Sequence, residues 1–200
     1  MAVYSFVSTS KIAEFSRWDA EAFLPILIKI DEVFKDSPRL ARLATVTHPS
    51  EIPRIYSNDE NSKPFLRAQN IKPILPTFDN LVFIPPETYS SIPLNRLETN
   101  DVLVTRSGAY SGVACVYLGD AGDIYTSGEG LIVRSLGDID GAYLGAFLSC
   151  KWGFLLCQRA IYGSGQPHIS PKYLEQTPIP RLGRIEIEVA KLVRNAYKHI

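Results

Sequence analysis

The sequence predicts an α+β fold: a β-rich domain with flanking helices and a further helix at the C-terminal end. Three observations predict it. Helical periodicity is visible near residues 23–34 and returns at Ala142. Between these stretches, short apolar runs alternate with glycine-bearing turns. A last amphipathic stretch begins at Ile185.

The first helix rests on Phe23, Ile26, Leu27, Ile30, Val33 and Phe34 at helical spacing. Asp19 is its expected N-cap, and Pro25 fits only within a first turn. Asp36-Ser37-Pro38 ends it, and a short amphipathic piece, Arg39 to Thr45, follows. From Thr47 to Pro64 the chain is polar and broken by Pro49, Pro53, Asn58 and Asn61. It reads as a long surface loop of the kind that often carries function. Strands are expected at Phe65 to Asn70, Asn80 to Ile84, Val102 to Arg106, Val113 to Leu118, Ile124 to Ser127 and Leu131 to Ser135. Their close spacing favours a strongly bent sheet or small barrel over a parallel α/β sheet. Tyr143, Leu144, Phe147 and Leu148 form one helix face, continued by Phe154 and Leu155 after a break near Gly153. Ser170-Pro171 opens a single helical turn through Leu174. Thr177-Pro178-Ile179-Pro180 is extended, and Ile185, Val189, Leu192, Val193 and Ala196 stripe the last helix. That helix reaches the chain end without a stop signal, so it is expected to be longer in the natural gene or to pack on something outside the chain.

Two hundred residues suffice for one sizeable core. At 46% hydrophobic and 21% charged, the composition excludes disorder. No run of about 18 apolar residues offers a membrane span. No secretory signal is visible, and three cysteines without metal spacing suggest reduced thiols in a cytoplasm. The 21 basic residues balance the 21 acidic ones. This counts against a nucleic-acid binder that works by bulk charge alone, though a neutral chain can carry a local basic face.

Catalytic chemistry finds no footing. His48, His168 and His199 lie far apart and lack metal-ligand spacing. Cys157 and His168 could pair as nucleophile and base, but Cys150 and Cys157 are close to two helical turns apart and are expected to fill a buried helix face. Ser107 is not in a nucleophile elbow. No phosphate loop, dinucleotide fingerprint or methyltransferase motif occurs, so no cofactor and no metal are expected.

Three segments carry information. Arg67-Ala68-Gln69-Asn70 places a guanidinium and two amides at a strand end, the groups that pair in bidentate fashion with guanine and adenine edges. A solvated strand edge is the simpler account of that spacing taken alone. Asn100 to Gly112 runs from a turn through an apolar strand into a loop with Arg106, Ser107, Tyr110 and Ser111, all able to contact phosphates or bases. Its Gly108 and Gly112 permit close approach to another surface, and turn geometry alone would also explain them. Gly163-Ser164-Gly165-Gln166-Pro167-His168-Ile169-Ser170 exposes amides, offers Gln166 and His168 as directional partners, and leads to a helix start beside Lys172. A connector between helices is the alternative.

In their order and spacing, these segments resemble the target recognition domain of the specificity subunit of type I restriction-modification systems. Carrying the likeness are Leu66 to Ile71, Asn100 to Gly108, Gly163 to Ser170, Leu174 and Thr177 to Pro180, with Ser16 to Glu21 as an entry segment. The resemblance implies a target recognition domain over residues 1–182 and the start of a dimerisation or spacer helix over 183–200. It implies a non-catalytic subunit that binds double-stranded DNA and brings an adenine methyltransferase subunit, and in the full complex a restriction endonuclease subunit, to its site. Full-length subunits carry two such domains, so this chain is expected to be a half-subunit that dimerises through its last helix, or a fragment. The implied DNA-facing residues are Arg67, Gln69, Asn70, Arg106, Ser107, Tyr110, Ser111, Ser164, Gln166, His168 and Lys172. Arg67, Arg106 and Lys172 should then share one face with Gln69 and Gln166. A protein-interaction scaffold that never touches DNA is the competing reading, and a small hydrolase using Cys157 or Ser107 a third.

Overall fold

A computed structural model describes residues 4–163 and 167–199. The chain opens with α1 (Thr9–Phe15), a 3-10 turn (Ala20–Phe23) and α2 (Pro25–Val33). The single first helix expected from the periodicity is therefore two pieces. Asp19 caps the 3-10 turn by accepting from the Ala22 N–H at 3.2 Å. Pro25 then starts a separate helix at its first position, where a missing N–H costs nothing.

Next come β1 (Ala44–Thr47), β2 (Lys63–Leu66), β3 (Val82–Ile84), α3 (Pro86–Ser91), β4 (Val102–Thr105), β5 (Ala114–Val116), β6 (Tyr125–Thr126) and β7 (Gly130–Ser135). β1 and α3 were not anticipated. β1, β7, β4 and β5 form an antiparallel sheet in that order; β2 pairs antiparallel with β3 and parallel with β6 in a second. The β-rich block is thus divided between sheets rather than wound into one bent sheet.

Both faces of the larger sheet are covered. Val102, Val104, Ala114, Val116, Leu131 and Val133 pack with α4 (Gly141–Ser149), through Ala142, Leu144 and Leu148. The alternate residues Leu103, Cys115 and Ile132 point the other way, to Leu66, Ile71, Leu97 and Ile124. The period-2 pleat therefore feeds two cores, which is why the runs 102–104 and 131–133 are continuously apolar.

The helical pair α4 and α5 (Lys151–Arg159) breaks at Cys150, whose backbone is extended, and not near Gly153. Gly153 lies inside α5 because a Cβ there would come within 2.0 Å of the Phe147 carbonyl oxygen. Cys157 is buried as expected, but Cys150 is exposed because it sits at the joint. A two-stranded ribbon, β8 (Ile161–Tyr162) and β9 (His168–Ile169), precedes α6 (Pro171–Leu174). Residues 177–180 are extended and pair with 38–40: Leu40 N–H donates to Thr177 at 2.8 Å and Ile179 N–H to Pro38 at 2.9 Å. α7 (Arg184–Tyr197) closes the described chain. It packs on α4, and its Arg194 forks onto Asp140 at 2.9 Å through two nitrogens.

Candidate nucleic-acid interface

The segment after β2 turns immediately. Its 3-10 turn, Ala68–Asn70, points Gln69 outward and Asn70 inward. Asn70 is fully buried: Oδ1 accepts from the Arg67 N–H at 3.1 Å, and Nδ2 donates to the carbonyls of Thr77 at 3.1 Å and Asp79 at 3.0 Å. Its amide holds the turn and is fully buried, which corrects the expectation that it faces DNA. Arg67 is half-buried. Nη2 donates to the Asn80 carbonyl at 2.8 Å, and the guanidinium lies 5.8 Å from the Tyr56 ring centre.

β4 delivers the second loop. The Arg106 N–H donates to the Glu129 carbonyl at 2.7 Å, and Ile169 N–H donates to the Arg106 carbonyl at 2.8 Å. Ser107 is buried, and its hydroxyl donates to the Glu129 carboxylate at 2.8 Å. Ser111 is buried too; its hydroxyl donates to the Gly108 carbonyl at 2.7 Å. Both serines are tied into the loop and do not present free hydroxyls, a second correction. Tyr110 is 65% exposed at the loop tip, with the Lys72 ammonium 5.7 Å from its ring centre. Gly112 does serve close approach, but to the protein's own α5, where Gln158 and Cys157 crowd it.

The third segment meets the second. Ser107 and His168 form a β-bridge, and His168 pairs with Tyr162 across the ribbon. His168 Nδ1 is enclosed and has no hydrogen-bond partner among the described residues. Ser164 and Gln166 lie outside the described residues. Lys172 is exposed on α6, four residues past His168.

The first segment lines a cleft of about 430 Å³; Arg106, Ser107 and His168 of the other two adjoin it through Glu129 and do not line it. Arg67 and Gln69 line it together with Glu51, Arg54, Tyr56, Ser127 and Glu129. Glu129 ties it to Arg106 and Ser107, and Ser107 ties it to His168. Arg106 Nη1 also stands 4.0 Å from Glu51 Oε1. Lys172 is not among the lining residues. Sequence reasoning missed Glu51, Arg54, Tyr56 and Glu129. The only signal for the first three was the polar 47–64 loop as a whole. His48, in the same loop, keeps an exposed surface but is partly desolvated; that desolvation first, and then the Arg106 charge, hold its imidazole below the usual value.

Nucleophile chemistry fares poorly here. Burial pushes the Cys157 thiol up to about 12, so the thiolate that would attack does not form near neutrality. Among the described residues, no group of His, Cys, Asp and Glu is arranged to hold a metal ion.

No protein-family model and no curated protein sequence matches the chain. Solved structures do. One is a chain from a study of complex assembly and conformational transition of the type I R-M system, 14% identical, with TM-score 0.54, covering 95% of this chain and 51% of that one. Another is the HsdS subunit from Thermoanaerobacter tengcongensis, 16% identical, TM-score 0.53, covering 95% and 47%. A third is the type I restriction-modification S subunit from M. genitalium, 10% identical, TM-score 0.52, covering 81% and 38%. The mixed α+β fold is that of these specificity subunits, and the chain spans about half the length of the first two. At such identities the likeness is one of fold.

Proposed function

We propose that this chain is a sequence-specific DNA recognition subunit of a type I restriction-modification system. It directs a partner adenine methyltransferase, and in the full assembly a nuclease, to a double-stranded site, and is itself non-catalytic. One observation carries the reading: on a fold shared with specificity subunits, Glu129 is bonded to the Arg106–Ser107 segment, which pairs with His168–Ile169, and it lines one cleft with Arg67 and Gln69. The groups gathered there suit base edges. Arg67 and Arg106 match guanine O6 and N7, and Gln69 matches adenine N6 and N7. Tyr110 and Lys72, paired at the tip of the second loop, suit a backbone phosphate.

Zero net charge fits a subunit whose partner shares the grip on DNA. Adenine extraction from the stack and its methylation then belong to that partner. The last helix supports an assembly role. Ile185 and Leu192 are 54% and 69% exposed on it, and Leu182, just before its start, is 47% exposed. We assign that stripe to a second copy or to the methyltransferase. A two-fold homodimer would read a symmetric interrupted site. Among the described residues, no helix is long and apolar enough to cross a membrane; a cytoplasmic setting follows from the proposed role.

The test maps methylated adenines in cells that express the chain with the methyltransferase encoded beside it. The expected result is one recurrent motif, absent when the chain is deleted. Methylation unchanged by that deletion would favour the scaffold reading instead.

A further inference from the structure

Glu51 puts a negative charge where contact with DNA has no general use for one. It lines the cleft described above, beside Arg54, Arg67 and Gln69. The other carboxylate there, Glu129, is tied to the fold by the Ser107 hydroxyl. Glu51 is not. Its side chain is 64% exposed, and Arg106 Nη1 at 4.0 Å is beyond hydrogen-bond range. Gly128 lies directly behind it. A Cβ on Gly128 would come within 2.6 Å of its Cδ and Oε1, so the carboxylate occupies the room that glycine leaves. The cleft also has unused polar capacity. Arg67 Nε and Ser127 Oγ, on two lining residues, are buried without a hydrogen-bond partner among the described residues, and a small shift of either side chain would offer them to a ligand.

A carboxylate near a phosphodiester backbone is repelled, and it stabilises a complex only where a donor meets it. In the major groove the base-edge donors are the exocyclic amino groups, cytosine N4 and adenine N6. Thymine O4 and guanine O6 put acceptors at the equivalent places. A carboxylate facing either of those sets two acceptors against each other and leaves both unpaired. We infer that Glu51 is a specificity-determining residue: it accepts a hydrogen bond from the exocyclic amino group of a cytosine or adenine and excludes guanine and thymine at that position. Arg54 and Arg67 flank it and offset its repulsion from the phosphates. The inference rests on the DNA-reading role proposed above.

The test is a selection of bound duplexes from a pool with randomised central positions, using the wild-type chain, Glu51→Gln, Glu51→Ala and Gly128→Ala, each in complex with the methyltransferase subunit encoded beside it. Wild type should enrich a motif in which one position takes cytosine or adenine over guanine and thymine by about tenfold or more. The base selected there tells the two amino groups apart. Glu51→Ala should bring that position near parity, and Glu51→Gln, whose amide also donates, should change the preference there by admitting guanine and thymine or favouring adenine; both should leave the rest of the motif unchanged. Gly128→Ala keeps the charge but displaces it, and should weaken preference at the same position. Because Glu51 is exposed, its variants should melt with the wild type, which separates lost reading from lost fold. Wild-type motif retained by both Glu51 variants overturns the inference and leaves the DNA-reading role standing. A wild-type chain that selects no motif overturns both.

Discussion

Arg159 is buried because Asp31 is buried with it. The two side chains are 6% and 9% exposed and meet at 2.7 Å, with Lys11 3.0 Å from the second Asp31 oxygen. The guanidinium also lies 4.5 Å from the Phe15 ring centre, so one arginine joins α1, α2 and α5. Removing one partner of such a pair leaves an uncompensated buried charge. Asp31→Ala should therefore destabilise the chain by about 3–5 kcal/mol, read as a shifted denaturant midpoint at unchanged slope. A shift below about 1 kcal/mol would mean that the pair behaves as a surface contact. Nothing in the sequence couples residue 31 to residue 159, since periodicity reports neighbours along the chain only. The same limit explains Asn70. Spacing put Arg67, Gln69 and Asn70 in one outward group, but a 3-10 turn separates them, and only the turn's own hydrogen bonds decide which amide is used inside. Gln69 and Asn70 were indistinguishable by type; they differ by one step of rotation.

At the scale of elements, most strands and helices were legible, because each is a local apolar run with punctuation. What failed was local competition. Asp19 and Pro25 are both good helix-start signals, and each starts its own piece. β1 escaped because Ala44–Thr47 is a short edge strand that borrows its regularity from β7. The stripe assigned to the last helix is real but faces two ways. Glu186, Ala190 and Val193 are buried, whereas Ile185 and Leu192 are exposed. Glu186 sets that rotation. Its carboxylate accepts from Arg181 Nε and Nη2, each at 3.1 Å, and from the N–H groups of Leu182 and Gly183 at the helix start. Burial alone would raise its pKa; the Arg181 and backbone hydrogen bonds outweigh burial and hold it below its ordinary 4.5. A depressed carboxyl contributes stability that is present above its unfolded value and is lost as pH falls through the folded one. Unfolding free energy of the wild type should therefore fall more steeply below pH 4.5 than that of Glu186→Gln, and the two should run parallel above it. Parallel curves throughout would deny Glu186 this role.

For the molecule as a whole, the α+β class was legible, and the arrangement of its sheets was not. Apolar runs such as 102–104 announce burial on both faces but not which elements cover each face. The candidate interface was legible in parts. Arg67, Gln69, Arg106 and His168 were named from chemistry; Glu129, which no motif marks, bonds the Arg106–Ser107 segment that pairs with His168 and lines one cleft with Arg67 and Gln69. Glu51 and Arg54 come from a loop that composition showed only as polar. Global charge proved a poor guide to this surface, because the sum of 21 positive and 21 negative residues hides where they sit. The central claim is that these adjoining loops read DNA sequence. Its most direct test is a selection of the wild-type chain, in complex with the methyltransferase subunit encoded beside it, against a random duplex pool, repeated across a salt series. The account predicts one recurrent sequence and retention that weakens steadily as salt rises. A pool that leaves the selection unenriched, or retention indifferent to salt, would contradict it.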